Sequence, residues 1–259
     1  VTVTDIDGNV YETVQIGEQN WMKENLKVTH YQNGDAIPTN LDNSTWSSTT
    51  DGAYAIYDDN PANAEIYGNL YNWYAADDSR NIAPEGWYIP TDEEWQELVD
   101  YLGGNGEAGG KMKEEGFEHW NNPNEGATNE SGFTGLPGGY RGSNDGAYGN
   151  IGISGYFWSS SENDSDGSWY RELVYDYAHI TRNYYAKQSG FNVRCVRDDT
   201  PQTIHIPQDY STIQAGIDAS TNGDTVLVSA GTYVENINFN GKNIVVQGED
   251  RESTIIDGN

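Results

Sequence analysis

The sequence predicts a β-rich α+β domain followed by a smaller all-β unit, and three observations support this fold class. The 259-residue chain has eight Trp, 19 Tyr and only two Met, a composition that favours sheets over helical bundles. A stretch dense in glycine and aromatic residues, 134–162, has the turn spacing of short extended segments. The character of the sequence changes after residue 198, so we expect domains at 1–198 and 202–259 joined by a linker at 199–201.

The N-terminal segment 1–17 alternates apolar and polar residues around an Asp-Gly-Asn turn, which predicts a β-hairpin. Asp5, Asp7 and Asn9 have the spacing at which a calcium loop begins, but a turn built from their own side chains is favoured. Because the chain begins with Val in a strand-like alternation, without a signal peptide, we expect a processed N-terminus or a fragment boundary.

The segment 91–102 carries the clearest helix signal. Thr91 followed by Glu94 is a capping box, an apolar stripe repeats at helical spacing, and a glycine pair ends the pattern. We expect an amphipathic helix that packs on a sheet and has no chemical role. Before it, 42–63 predicts a long surface loop with a short strand, and 67–76 predicts a short helix.

The chain is strongly acidic, with 41 Asp and Glu against 13 Lys and Arg and a net charge of −28. Such a surface repels phosphates and anionic headgroups, so we expect neither nucleic acid nor a membrane as a partner. No apolar run approaches the ~18 residues that a transmembrane helix needs. The acidity indicates solubility in a salty medium, or oxygen ligands for a hard cation such as calcium.

One acidic loop is a candidate calcium site. Glu162, Asn163, Asp164 and Asp166 lie within a few residues of one another before a glycine, and carboxylate and amide oxygens are the ligands that calcium prefers. A solvated acidic turn explains the same pattern, so both interpretations stay open.

The first 198 residues contain, in order, GNVYETVQIGEQNWMKENLKVT, GNLYNWYAA, PEGWYIPTDEEWQEL, SGFTGLPGGYR, GYFWSSSE and GFNVRCVRD. This series resembles the Fibrobacter succinogenes major paralogous domain. The resemblance implies a C-type lectin-like fold and a secreted or surface-anchored bacterial protein, and it implies little about activity. Family members carry a cysteine where this chain has Ala83, so the implied disulfide is missing and we expect Cys195 to be a small buried hydrophobe. The calcium-binding tripeptides of sugar-binding C-type lectins are also missing.

Residues 202–259 resemble the opening of a right-handed parallel β-helix of the pectin-lyase-like kind. A capping helix is expected with Ile213 and Ile217 as its buried points, followed by short strands separated by Gly and Asn. His205 is expected to be structural. The complete expected fold class is an α+β C-type lectin-like domain followed by an all-β partial right-handed parallel β-helix of about two coils.

The sequence contains none of the motifs of common enzyme classes, so we expect a non-enzymatic protein. The first functional hypothesis is an extracellular structural or adhesion module that associates with itself or with other surface proteins, head to tail, through an open β-helix end. It rests on a chain that begins within a strand and ends within a solenoid.

The second hypothesis is a module that binds a glycan or a surface protein through exposed aromatic side chains, with Arg141 among the polar groups that orient the ligand. Trp158 and Trp169 are expected in the core. For the tyrosines, burial and ligand contact are both open. The candidate ligand-binding residues are Tyr140, Arg141, Tyr148, Tyr156, Tyr184 and Tyr185.

Overall fold

The computed structural model describes residues 2–198, 201–221 and 223–258. The chain forms two compact units, Val1–Arg197 and Asp198–Asn259. Residues 199 and 200 of the expected linker lie outside the described residues.

The N-terminal unit is built on a four-stranded sheet of order β1-β2-β3-β11, a five-stranded sheet of order β10-β9-β8-β6-β7 and a two-stranded β4-β5 pair. Their strands are β1 (Thr2–Thr4), β2 (Val10–Ile16), β3 (Gln19–Met22), β4 (Tyr54–Ala55), β5 (Leu70–Tyr71), β6 (Gly138–Arg141), β7 (Tyr148–Ile151), β8 (Ser154–Glu162), β9 (Gly167–Val174), β10 (Ile180–Ala186) and β11 (Val196–Asp198).

The predicted N-terminal hairpin is confirmed, because β1 pairs antiparallel with β2. Asp5 holds the intervening turn: its carboxylate accepts hydrogen bonds from the backbone N–H groups of Asp7 and Asn9, at 3.0 and 2.9 Å, and from the Tyr11 hydroxyl at 2.7 Å. The turn is therefore built from Asx side chains, as the sequence favoured.

The helices of this unit are short and sit between strands. The predicted capping box is confirmed: the Thr91 hydroxyl accepts from the Glu94 N–H, and the Glu94 carboxylate accepts from the Thr91 N–H. The helix bounds are α1 (Asn43–Ser48), α2 (Pro61–Tyr67), α3 (Trp73–Ala76), α4 (Asp92–Tyr101) and α5 (Asn105–Met112).

Two segments differ from their predictions. The expected surface loop 42–63 contains α1, whose N-terminus is capped by Asp42 and whose Trp46 is buried. The expected helix 67–76 is not continuous: Tyr67 ends α2, Leu70–Tyr71 form β5, and the chain is helical again in α3. In the first segment polar residues obscure the helical periodicity, and Asp42 caps the helix. In the second, the apolar spacing runs through a strand, and Asn72 decides where α3 begins.

The core of the N-terminal unit is made of interlocked aromatic rings. Trp21, Trp95 and Phe133 pack between the helices and the sheets, with ring centroids 4.8 to 5.9 Å apart. Trp158 packs on Phe191 at 4.4 Å in a second cluster. Large flat side chains fill the space that few aliphatic residues are available to fill.

The C-terminal unit consists of two small parallel sheets and one helix. Its three-stranded sheet has the order β12-β13-β15, and its two-stranded sheet pairs β14 with β16. Ile213 and Ile217 of the helix are buried, as predicted. The elements are β12 (Thr203–Ile206), α6 (Ile213–Ala219), β13 (Thr225–Val228), β14 (Gly231–Val234), β15 (Val245–Gly248) and β16 (Thr254–Asp257).

The expected fold class, an α+β lectin-like domain followed by a parallel β-helix, is wrong in its helical content and in the β-helix, whereas the described residues do not oppose a lectin-like N-terminal unit. Strands dominate the described chain, and the longest helix has ten residues. The described C-terminal strands form two separate sheets, one of three strands and one of two. A solenoid requires at least about three complete stacked repeats, which these strands do not make. The parallel pairing that the β-rich runs suggested is present, but the repeating coil is not.

Candidate functional site

The stretch 134–162 becomes the strands β6, β7 and β8, which lie side by side in the five-stranded sheet. Glycine is needed where these strands approach closely. Gly139 has φ +68°, and a Cβ there would lie 2.4 Å from the carbonyl oxygen of Gly149. The glycines therefore let β6 and β7 meet and leave room for the tyrosine rings beside them.

Four rings from different elements form one cluster on this sheet. Tyr156 of β8 stacks on Phe191, with centroids 5.0 Å apart and an interplanar angle of 16°. Tyr170 of β9 meets Phe191 at 5.0 Å, and Tyr140 of β6 meets Tyr156 edge-on at 5.6 Å. Side chains distant in sequence thus make a continuous aromatic surface.

This surface lines a cleft of about 330 Å³, which is within the size range of small-ligand sites. Predicted residues Tyr140, Tyr156 and Tyr185 all line it. Tyr156 forms part of its buried base, while Tyr185 is 46% exposed. The cleft is lined by Tyr140, Gly142, Ser143, Asn144, Asp145, Asn150, Tyr156, Tyr170, Glu172, Tyr185 and Phe191.

A wider groove of about 770 Å³ shares Ser143, Asn144 and Tyr185 with the cleft. Tyr184, another predicted residue, lines this groove and is 51% exposed. Asp164 lines it as well. The cleft and the groove together form a continuous concave surface lined by tyrosines, amides and carboxylates.

Arg141 and Tyr148 line neither the cleft nor the groove. The Arg141 guanidinium is 2% exposed, donates to the carbonyl oxygens of Gly146 and Leu41, and lies 4.5 Å from the Trp46 ring. The Tyr148 hydroxyl donates to Asp59 at 2.6 Å. The structure gives both residues internal partners, which leaves the orienting role in the cleft to other polar side chains.

The acidic loop 162–166 is paired with a lysine side chain. The Lys187 ammonium donates to the Glu162 carboxylate and to the Ser165 carbonyl oxygen, and Lys187 is buried. Asp164 accepts from the N–H groups of Asp166 and Gly167, and these bonds lower the pKa of its carboxyl. Asn163 donates to Asp164. The predicted calcium site at these residues stays untested, and the loop is already closed by a lysine.

Burial first, and then the neighbouring Glu172 carboxylate, raise the pKa of Tyr156 to about 12. Burial and Glu172 also raise the pKa of Tyr170. Both phenols therefore stay neutral at physiological pH. Asp145 accepts one backbone N–H, from Ala147 at 3.0 Å.

A second cluster outside the cleft has side chains that suit a metal ion. Single ligand atoms of Glu114, Glu118 and His119 lie within 4.8 Å of one another. His119 Nδ1 lies 2.9 Å from a Glu114 oxygen, and its ring meets Tyr67 edge-on. Imidazole with carboxylates suits zinc or a similar ion better than calcium. The sequence analysis assigned these residues no ligand role.

Sequence reasoning also missed Tyr170, Glu172 and Phe191. A signal for the first two exists, since the i, i+2 spacing places Tyr170 and Glu172 on one face of β9. No sequence pattern indicates that Phe191 packs on Tyr156. Within the part of the chain that the structure describes, no helix is long and apolar enough to cross a bilayer.

The family model of the Fibrobacter succinogenes major domain matches residues 14–197, which contain the cleft, the groove and both aromatic clusters. No curated protein and no solved structure matches the chain. Because the matched segment covers more than half of the sequence, the chain belongs to the Fibrobacter succinogenes major domain family.

Proposed function

We propose that this protein is a non-catalytic carbohydrate-binding module of a secreted or cell-surface bacterial protein, with the tyrosine-lined cleft as its binding site. One observation carries the proposal: four tyrosines and one phenylalanine share a cleft of about 330 Å³ with amide and carboxylate side chains. A pyranose ring has an apolar face that packs on aromatic rings and hydroxyls that need hydrogen-bond partners.

The chemistry of the lining matches these two requirements. Tyr156 and Phe191 are stacked on one another and nearly buried, so they hold the cleft in shape, while the half-exposed Tyr185 offers ring surface to a ligand. Asn144 and Asn150 line the same space and can both donate and accept hydrogen bonds. The groove continues the surface past Tyr184, so a chain of several sugar units fits the binding surface better than a monosaccharide.

The location in the proposal is supported by the family resemblance and the strongly acidic composition. Calcium is not required by the proposed binding. A cation at 162–166 would have to compete with the Lys187 ammonium, which already contacts Glu162 and Ser165. Addition of a chelator is therefore expected to leave glycan binding unchanged.

The proposal is tested by measuring binding of the full chain to a panel of soluble polysaccharides by affinity electrophoresis. Replacement of Tyr185, the exposed ring at the cleft, by Ala is expected to weaken binding at least tenfold, or ~1.4 kcal/mol. Tyr101→Ala removes another exposed tyrosine, from α4, which does not line the cleft, and is the matched control. Retained affinity in Tyr185→Ala, or no retardation by any polysaccharide, would overturn the proposal.

Assembly with further copies or with other surface proteins is a second candidate function. The C-terminal unit exposes Val234, Ile255 and Ile256 on its two-stranded sheet. Exposed apolar side chains on neighbouring strands are typical of a surface that contacts another chain. Sedimentation velocity of the full chain over a concentration series tests this second function.

A further inference from the structure

The cleft is negatively charged. Glu172 and Asp145 line it together with the aromatic rings, and no lysine, arginine or histidine is among its lining residues. In the described part of the chain, neither carboxylate forms an ion pair with a basic side chain. Two carboxylates without cationic partners in a small concave site favour a ligand that carries positive charge.

Basic side chains on neighbouring elements are committed elsewhere. Lys187 is bound to Glu162, and Arg182 of β10 donates to Asp92 while its guanidinium covers the Trp169 ring at 3.5 Å. Arg141 donates to backbone carbonyl oxygens beneath the sheet. None of these groups is available to neutralise Glu172 without giving up a contact that the structure shows.

The position of Glu172 is set by the sheet. It lies opposite Tyr156 in the β8–β9 register, and two residues from Tyr170 along the same face. A cation that contacts its carboxylate would therefore also lie beside tyrosine rings, whose π faces attract positive charge. Carboxylate and rings act on the same ligand group.

From this geometry we infer that the cleft selects glycans with free amino sugars, in which a pyranose face packs on the tyrosines and the ammonium group pairs with Glu172. This inference rests on the proposed carbohydrate-binding function and names its ligand class. Uronic acid polymers are excluded by charge, because their carboxylates would face Glu172 and Asp145. Neutral sugars would find the same rings without the ion pair.

The test compares three probes of similar length at about pH 5.5, where free amino sugars carry ammonium groups. The probes are a glucosamine hexasaccharide, its fully N-acetylated counterpart and an oligogalacturonate. Isothermal titration calorimetry on the full chain is expected to give at least tenfold tighter binding of the glucosamine probe than of the acetylated one. No binding of the oligogalacturonate is expected. Raising the salt concentration should weaken the binding of the glucosamine probe only, because only that binding includes an ion pair.

Glu172→Gln is expected to remove most of the preference for the glucosamine probe, so that this probe binds about as tightly as the acetylated one. Glu18→Gln, in the exposed turn between β2 and β3, changes the net charge equally without touching the cleft and is the matched control. Circular dichroism of both variants checks that the fold is retained.

The outcomes separate the two proposals. If neither hexasaccharide binds, the carbohydrate-binding function itself fails. If both bind equally, or if Glu172→Gln retains the full preference, carbohydrate binding stands and the amino-sugar assignment is overturned. The amino-sugar assignment would also be overturned if a lysine hexapeptide bound as tightly as the glucosamine hexasaccharide and lost the same affinity in Glu172→Gln. The ammonium group alone would then account for recognition.

Discussion

The N-terminal unit buries tryptophan and tyrosine rings, whereas the buried core of the C-terminal unit consists of five isoleucine and valine side chains. All eight tryptophans of the chain lie before residue 198. Aromatic rings bury a large area per residue, so short and irregular elements can still enclose a core. The C-terminal unit has smaller side chains and exposes Val234, Val245 and Ile255.

Asp92 in the N-terminal unit and Asp224 in the C-terminal unit are buried carboxylates that are held in different ways. In the N-terminal unit, Asp92 accepts from the guanidinium groups of Arg171 and Arg182. In the C-terminal unit, Asp224 accepts from the backbone N–H groups of Gln202 and Thr221 and has no ion pair among the described residues. Asp92 is thus held by charge pairs between elements, and Asp224 by backbone hydrogen bonds.

The largest expected effect comes from the aromatic core. Trp158→Ala should lower the free energy of unfolding by about 4 kcal/mol, because it removes a fully buried ring and the hydrogen bond from its indole N–H to Tyr71. Ile217→Ala, in the helix of the other unit, should cost about 3 kcal/mol. Denaturant titrations followed by tryptophan fluorescence should detect only the first, since that signal comes from the N-terminal unit alone.

Far-UV circular dichroism, which reports both units, is the companion measurement for Ile217→Ala. If tryptophan fluorescence shifts as much for Ile217→Ala as for Trp158→Ala, the two units unfold as one and the contrast between them does not apply to stability.

The next effect concerns the buried carboxylates. Asp92→Asn should cost about 3 kcal/mol, because it leaves the buried Arg171 without its counter-charge. Asp224→Asn should cost only about 1 kcal/mol, since an amide oxygen still accepts backbone hydrogen bonds. Urea titrations of the two variants measure this difference. Equal costs would contradict the distinction between charge pairs and backbone bonds.

Asp92 also makes the stability of the N-terminal unit depend on pH. Burial opposes the charged carboxylate, but Arg182 and Arg171 outweigh it and lower the pKa of Asp92 below its ordinary value. The unfolded state therefore binds a proton more readily than the folded state. The stabilisation that charged Asp92 contributes is present above the ordinary carboxyl pKa and is lost as the pH falls through the pKa of Asp92 in the folded protein. Acid titration by tryptophan fluorescence should show a smaller loss of stability in Asp92→Asn than in the wild type.

At alkaline pH the stability of the N-terminal unit should depend on its buried tyrosines. Burial raises the pKa of Tyr31 and Tyr156 to about 12, so the folded N-terminal unit keeps protons that the unfolded chain releases near pH 10. Its stability is full below that pH and is lost as the pH rises toward the folded values. Absorbance of tyrosinate should show a late-titrating group of tyrosines that ionises together with the loss of native tryptophan fluorescence. Ionisation of every tyrosine near pH 10 in the folded protein would refute this.

The smallest effect is expected on the exposed apolar surface of the C-terminal unit. Ile255→Thr should change the free energy of unfolding by less than about 0.5 kcal/mol, because the side chain is half-exposed. Tyr101→Thr in α4 is the control from the other unit. Sedimentation velocity should show weaker self-association for Ile255→Thr only, and an unchanged sedimentation coefficient would remove the support for the assembly function.

Local features could be predicted from the sequence where the determining contacts lie a few residues apart. The Thr91–Glu94 capping box, the Asp5 turn and the buried positions Ile213 and Ile217 depend on neighbouring residues, and all were confirmed. Burial of Cys195 was also predicted correctly. The helix at Asn43–Ser48 was missed because its polar residues show no apolar stripe.

The sequence by itself determined family membership, the β-rich composition, the acidic charge and the tyrosines available for a binding surface. Only the tertiary structure decided which side chains contact one another in the cleft. Phe191 stacks on Tyr156, Glu172 lies beside both Tyr156 and Tyr170, and Arg141 turns inward. The reason is physical: strand register and ring packing between segments far apart in the chain are set by the whole core, and the pattern of a single segment does not contain them.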